Sequence, residues 1–257
     1  MEKISYKINP KERFYFSIRL IISIIAYLLI LLAIVELSKA PANVLPAVLM
    51  FLFYGGLLAL FFFIRAGLFV GHIKGNAVKI TKSQFPDIYE ILERHCEKLK
   101  ISIPASYILQ SDGMLNAFAT RFIGRNYVVI YSEILEIAYE QGQEALEFII
   151  AHELGHVKRS HMTRSLLLLP SVILPFLPKA YSRACEYTCD NIGKALSLNG
   201  AADGLLILAA GKKLYTKVNI AEYINNEQNE PGFWKWFAEK MSSHPNLPKR
   251  LKNLDMK

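Results

Sequence analysis

Two long apolar runs open the chain, and nothing like them follows. Residues 14–35 form a run of 22 with Arg19 as its one charge, and residues 42–64 a run of 23 with none. A helix needs roughly 20 residues to cross about 30 Å of hydrocarbon. Neither run keeps the polar face that a soluble helix of such length carries. The pattern predicts two transmembrane helices, spanning about 14–35 and 42–64. The first run is too long for a cleaved signal peptide, and no small-residue cleavage signature follows it. Lys3, Lys7, Lys11, Arg13 and Arg19 flank the first span, Arg65, Lys74, Lys79 and Lys82 follow the second, and the link 36–41 holds only Lys39. Basic flanks stay cytoplasmic. The expected protein is therefore a multi-pass protein of the cell membrane. Residues 1–70 form a hairpin anchor, and both termini and a domain of residues 71–257 are cytoplasmic.

Beyond the anchor the apolar positions become periodic. Residues 84–99 place Ile88, Ile91, Leu92 and Leu99 on one helical face, and Pro86 suits a first turn. "ASYILQ" and "NYVVIYS" have the β-branched and aromatic content of strands, with turn signals at Asp112-Gly113 and Ile123-Gly124. They predict a small antiparallel sheet over residues 105–132. Helices are expected over 144–160, 184–198 and 201–215 and in the amphipathic "GFWKWFAEKM", with residues 245–254 following it. The fold class is α+β, mostly helical.

Composition narrows the partners. The net charge is +8, and no helix-turn-helix, zinc-finger or aromatic-basic recognition pattern accompanies it. Nucleic acid is not an expected partner; the anionic inner leaflet of a lipid bilayer is. Three cysteines, Cys96, Cys185 and Cys189, give no disulfide framework and suit a reducing compartment.

The chemistry centres on "HELGH". His152 and His156 lie four residues apart on a predicted helix, so both imidazoles reach one metal ion. Glu153 lies 100° round the helix, beside the metal without ligating it, where it can take a proton from metal-bound water. A catalytic zinc needs a further protein ligand and an open position. The metzincin continuation is absent, because Arg159 and Met162 stand where a glycine and a histidine would be required. "SRACEYTCD" offers Glu186 and Asp190, again four apart. One can ligate while the other supports a ligand histidine. Cys185 and Cys189 have the same spacing, and with the two histidines they would make a closed structural site with no place for water.

"HELGHVKRSH", "SRACEYTCD" and "SSHPNLPKR", in that order, resemble the gluzincin peptidases that include the heat-shock protease HtpX and the CAAX prenyl proteases. The resemblance runs from about residue 85 to 254. It implies a gluzincin-type metallopeptidase domain with one Zn2+ per chain, bound by His152, His156 and Glu186, and Glu153 as catalytic base. It implies Asp190 as the acid supporting a ligand, and His244 as a catalytic histidine near the site. Asn116, Ala117 and Phe118, in "NAFAT", match the segment before an edge strand that pairs with extended substrate, and Arg250 matches a following basic residue of the substrate site. A backbone-bound peptide implies modest sequence selectivity. The expected activity is membrane-bound, zinc-dependent endopeptidase hydrolysis in membrane protein quality control, acting on membrane-associated or misfolded polypeptides. A CAAX-type prenyl protease and a membrane-anchored adaptor or sensor with structural zinc are the alternatives.

One stretch departs from that family. HtpX-like members commonly place two membrane helices between the second histidine and the ligand glutamate, whereas here 29 residues separate His156 from Glu186. Within them lies "RSLLLLPSVILPFLPK". Residues 166–178 extend to about 20 Å if helical, too short for a span, and internal prolines break them. A single crossing would also put Glu186 across the membrane from His152. The stretch is expected to dip into the cytoplasmic leaflet or lie over the cleft, or else to pack as an apolar loop on the domain or on a partner subunit.

Overall fold

The computed structural model describes residues 4–37, 39, 41, 43–110 and 116–255. The expected turn at Asp112-Gly113 lies outside them. The chain begins with two long helices, α1 (Pro10–Leu37) and α2 (Leu45–Asn76), both long and apolar enough to cross a membrane. The short strand β1 (Val78–Lys79) leads to α3 (Pro86–Leu99), whose Ile88, Ile91, Leu92 and Leu99 are buried, as the periodicity requires. Strands β2 (Ala105–Leu109), β3 (Ala117–Phe122) and β4 (Arg125–Tyr131) follow, then helices α4 (Ser132–Gln141), α5 (Glu144–Lys158) and α6 (His161–Leu167). A 3₁₀ turn over Leu169–Ile173 precedes α7 (Leu177–Leu196), and α8 (Ala201–Leu214), α9 (Ile220–Asn229), α10 (Phe233–Met241) and α11 (Leu247–Asn253) complete the chain.

The sheet is mixed rather than antiparallel. Its order is β1-β2-β4-β3, with β2 and β4 parallel and the other pairs antiparallel. After β2 the chain runs to the far edge, forms β3, and turns back so that β4 fills the centre. The turn is two residues, Ile123 (φ 42°) and Gly124 (φ 76°), the pair of positive φ values that matches a hairpin's twist. Val128, Val129 and Ile130 of β4 are fully buried, so their apolar run is covered on both faces rather than alternating in and out. The larger core, with α3, α4 and α5, covers one face. Val70 and Ile73 at the end of α2 join Tyr107, Tyr127 and Val129 on the other. Among the described residues β3 is an edge strand.

The two long helices are fastened to different sides of the domain. Phe63 and Phe69 of α2 stack near Phe122 and Phe118 of β3, with ring centroids 5.5 and 5.7 Å apart. α1 lies along α7 and the 3₁₀ turn. Arg19 donates from Nε to Ser171 Oγ (2.8 Å) and from Nη2 to the Leu168 carbonyl (3.1 Å), and the Tyr27 hydroxyl donates to the Leu167 carbonyl (3.1 Å). The proline-cut apolar stretch is thus pinned to α1 and forms no span of its own.

One buried base ties this core to pH. His95 is wholly inaccessible in the α3 interface. Burial, with Arg94 and Lys98 beside it, holds it down at about 4 from an ordinary 6.5. The unfolded chain takes up this proton below about pH 6.5, while the folded chain resists until about pH 4. Stability is therefore complete above that window and falls as pH drops through it, by up to about 3 kcal/mol. His95→Leu should remove that share of the acid sensitivity, read as a smaller fall in the denaturant midpoint between pH 7 and 5.

Candidate active site

Helix α5 brings His152 and His156 to one face, with their Nε2 atoms 3.3 Å apart. Helix α7 crosses it and supplies Glu186, whose Oε2 lies 3.5 Å from His152 Nε2 and Oε1 3.4 Å from His156 Nε2. The crossing is close because residue 155 is glycine. A Cβ there would sit 3.2 Å from Cys189 Sγ and 3.3 Å from its Cα.

The three groups fit a metal ion. A tetrahedron with arms of about 2.0–2.1 Å has edges of about 3.3 Å, close to the spacings of these donors. Glu186 Oε2 is buried with no partner in hydrogen-bonding geometry, although His244 Nδ1 approaches it to 2.9 Å. Such an atom is costly unless a cation or donor meets it. Two imidazole nitrogens and a carboxylate suit zinc.

The surrounding charges hold these groups in place. Asp190, fully buried, lies 2.9 Å from His152 Nδ1. Arg250 of α11 donates to both Asp190 oxygens, at 2.8 and 2.6 Å, and its Nη1 lies 3.6 Å from Glu186 Oε2. Burial pushes the carboxyl of Glu186 up, but His152, His156, His244 and Arg250 outweigh it and hold the group well below the usual range. Burial likewise opposes the charged form of His152, and Asp190 and Glu186 more than reverse that, raising it to about 10.

Glu153 and His244 line a cleft of about 330 Å³ with Asn116, Ala117 and Pro245. Its floor carries His152, Glu186 and Arg250. "NAFAT" proves to be mostly edge strand rather than the segment before it, since β3 starts at Ala117. Phe118 turns its ring away from the cleft, onto Phe69 and Tyr131. Arg250 is buried beneath the cleft, with its guanidinium committed to Asp190. A second cavity of about 600 Å³ opens beyond His156, between Thr120 and Arg121 of β3 and the apolar Leu166, Leu169 and Val172.

Among the described residues, no candidate ligand group joins either cysteine to both His152 and His156. Cys189 Sγ lies 3.8 Å from His161 Nδ1, and burial pushes both thiols up, away from the thiolate that binds metal. Ser160, in the left-handed region (φ 53°), turns α6 back so that buried His161 places Nδ1 3.1 Å from His156 Nδ1. Spacing alone sets His161 off the ligand face, and the turn at Ser160 is what brings it back.

A helix bearing HELGH, closed by a glutamate from a second helix at the head of a cleft, defines a metallopeptidase. Residues 82–177 and 166–257 match the description of Peptidase family M48, and the chain belongs to that family. It is 34% identical over 84 residues to the Protease HtpX homolog of Thermodesulfovibrio yellowstonii, covering 32% of this chain and 28% of that protein. It is 27% identical over 117 residues to the plastoglobule-localized metallopeptidase 48 of Arabidopsis thaliana, covering 44% and 33%. A Protease HtpX homolog of Pelotomaculum thermopropionicum is 25% identical over 228 residues, 68% of this chain and 77% of that one. The matched segments span about a third of the length of the first two relatives. Among solved structures, the crystal structure of S. mikatae Ste24p aligns over 97% of this chain and 67% of that one, at 15% identity and a TM-score of 0.49.

The glycine at the crossing is testable. Gly155→Val should separate α5 from α7, lowering stability by about 1–3 kcal/mol and weakening metal binding. Denaturant titration with and without zinc measures both, and a variant as stable as the parent would show that the crossing has room to spare.

Proposed function

We propose that the chain is a membrane-bound, zinc-dependent endopeptidase that cuts membrane-associated or misfolded polypeptides in membrane protein quality control. The observation that carries the reading is the trio His152, His156 and Glu186, whose donor atoms lie 3.3 to 3.5 Å apart, close to the edge length of a zinc tetrahedron, with the carboxylate buried against both imidazoles. When bound, zinc supplies Lewis acidity toward water and toward a peptide carbonyl. Glu153, one residue from His152 and facing the cleft, takes the proton from the attacking water and passes it to the leaving amine. His244, at the cleft mouth, donates a hydrogen bond to the carbonyl oxygen as charge develops there. Asp190 fixes the His152 ring, and Arg250 fixes Asp190, a supporting role in place of direct substrate contact. An extended substrate pairs with the edge of β3, with Asn116 and Ala117 at one end and the larger cavity at the other.

The hairpin 1–70 anchors the peptidase domain 71–257, with both termini cytoplasmic. The face around α1 carries the exposed side chains of Leu166, Leu169, Val172 and Ile173. Phe176 continues this surface to Phe237 of α10, at a centroid distance of 6.3 Å, and α10 exposes Trp234 and Trp236. Aromatic rings of this kind favour the membrane–water boundary. The surface lies against the cytoplasmic leaflet, and the larger cavity opens beside it.

Two measurements test this reading. Glu153→Gln should keep zinc and lose roughly 100- to 10,000-fold in the rate of casein or membrane-protein degradation. Zinc-loaded wild type no faster than that variant would end the protease assignment. The chain's two tryptophans are both in α10, so intrinsic emission reports this surface alone. Brominated lipid should quench it in proteoliposomes. Emission quenched by aqueous acrylamide but untouched by brominated lipid would place α10 in water.

A further inference from the structure

Resting on the zinc-ligand reading above, we propose that Glu12 and His161 are positioning residues for His156. They form a buried hydrogen-bonded chain that runs from the first turn of α1 to the metal side of α5.

An imidazole that ligates through Nε2 carries its proton on Nδ1, and that N–H needs an acceptor to fix the ring. His152 has one in Asp190, itself held by Arg250. At His156 the facing atom is His161 Nδ1, at 3.1 Å. To accept, that nitrogen must be bare, so the proton of His161 sits on Nε2. His161 Nε2 in turn faces Glu12 Oε1 at 3.4 Å, a carboxylate oxygen that accepts. Glu12 is fixed as Asp190 is, by an arginine: Arg159 donates to Oε1 from Nε (3.1 Å) and Nη2 (2.8 Å). Glu12 is fully buried and His161 nearly so. A single arrangement of protons satisfies the series from Glu12 through His161 and His156 to the ligand nitrogen. Both ligand histidines thus end on a buried carboxylate held by an arginine, one directly and one through an interposed imidazole.

The same neighbourhood admits a different reading, because Glu12, His161 and Cys185 lie close enough to hold a cation. Arg159, and Arg164 with Nη1 3.6 Å from the same Glu12 oxygen, disfavour one there. The group serves His156 instead. The helix that enters the membrane therefore also holds the metal site, and the geometry of one ligand depends on how α1 is seated.

The test uses the full chain in lipid nanodiscs. Zinc affinity is measured by competition with a chelating dye, and the cobalt(II)-substituted site by its visible absorption bands. Glu12→Gln and His161→Leu should each weaken zinc binding about 10- to 100-fold and shift the cobalt bands. The double variant should bind no more weakly than the weaker single. His161→Gln should recover most of the affinity, since its amide oxygen accepts from His156 and its amide nitrogen donates to Glu12. If burial of Glu12 makes Glu12→Gln fail to fold, the Leu and Gln variants of His161 decide the matter. Zinc affinity unchanged within twofold in His161→Leu would overturn the proposal, as would equal losses in His161→Leu and His161→Gln. Two zinc ions per wild-type chain, one of them lost in His161→Leu, would overturn it in favour of a second metal site. A wild type that binds no zinc would remove the metallopeptidase reading as well, whereas tight wild-type binding with unaffected variants removes this inference alone.

Discussion

The crossing of α5 and α7 is the contact on which the rest depends. It places Glu186 against His152 and His156 inside an apolar domain, where an unpaired carboxylate is strongly unfavourable. Only a close approach lets the three groups share one cation, and the missing side chain at Gly155 permits it. The helices behind hold the crossing in register. Phe148 of α5 fills the space beneath it, and a Cβ at Gly193 or Gly204 would collide with its ring, at 2.7 and 2.5 Å, so these glycines let α7 and α8 both close on it.

Charge is buried here in balanced sets, and the sets come from opposite ends of the chain. Arg250, near the C-terminal end of the described residues, neutralises Asp190 behind one histidine. Glu12, near the N-terminal end, meets Arg159 behind the other. Isolated, any of these groups would carry a desolvation penalty of several kcal/mol. Paired, they lie behind the two rings. The histidine pair in the middle of the sequence is thereby backed by residues from α1 and α11.

The same packing sets the site beside the two long helices. α2 covers one face of the sheet through Val70 and Ile73, and α1 lies on α7 through Phe16 and Arg19, which both meet the Tyr181 ring. The edge strand and the apolar stretch around the 3₁₀ turn bound the larger cavity between them. Arg19, the one charge in the first apolar run, is spent on the carbonyl and hydroxyl of that stretch rather than on solvent.

What the sequence determined by itself was whatever depends on near neighbours. Helical periodicity is local, so the pairing of His152 with His156, the buried face of α3 and the two apolar helices could all be read directly. Two internal prolines and the need for His152 and Glu186 to lie on one side of the membrane ruled out a third span. The order of strands could not be read, because pairing is a long-range choice. β4 sits between β2 and β3, and only the unbroken apolar run of "NYVVIY" hinted at a strand covered on both faces. The short helices α4 and α9 went unmarked: α4 has no side-chain cap, and the one local signal for α9 is Asn219, whose side chain accepts from the Glu222 N–H. Glu12 was invisible for a deeper reason. In sequence it is one acid in a basic, polar leader, and nothing nearby signals burial. It reaches His161, beside the HELGH helix, only when α1 packs on α7 and Ser160 folds His161 back onto α5, bringing residues some 150 positions apart within hydrogen-bonding distance.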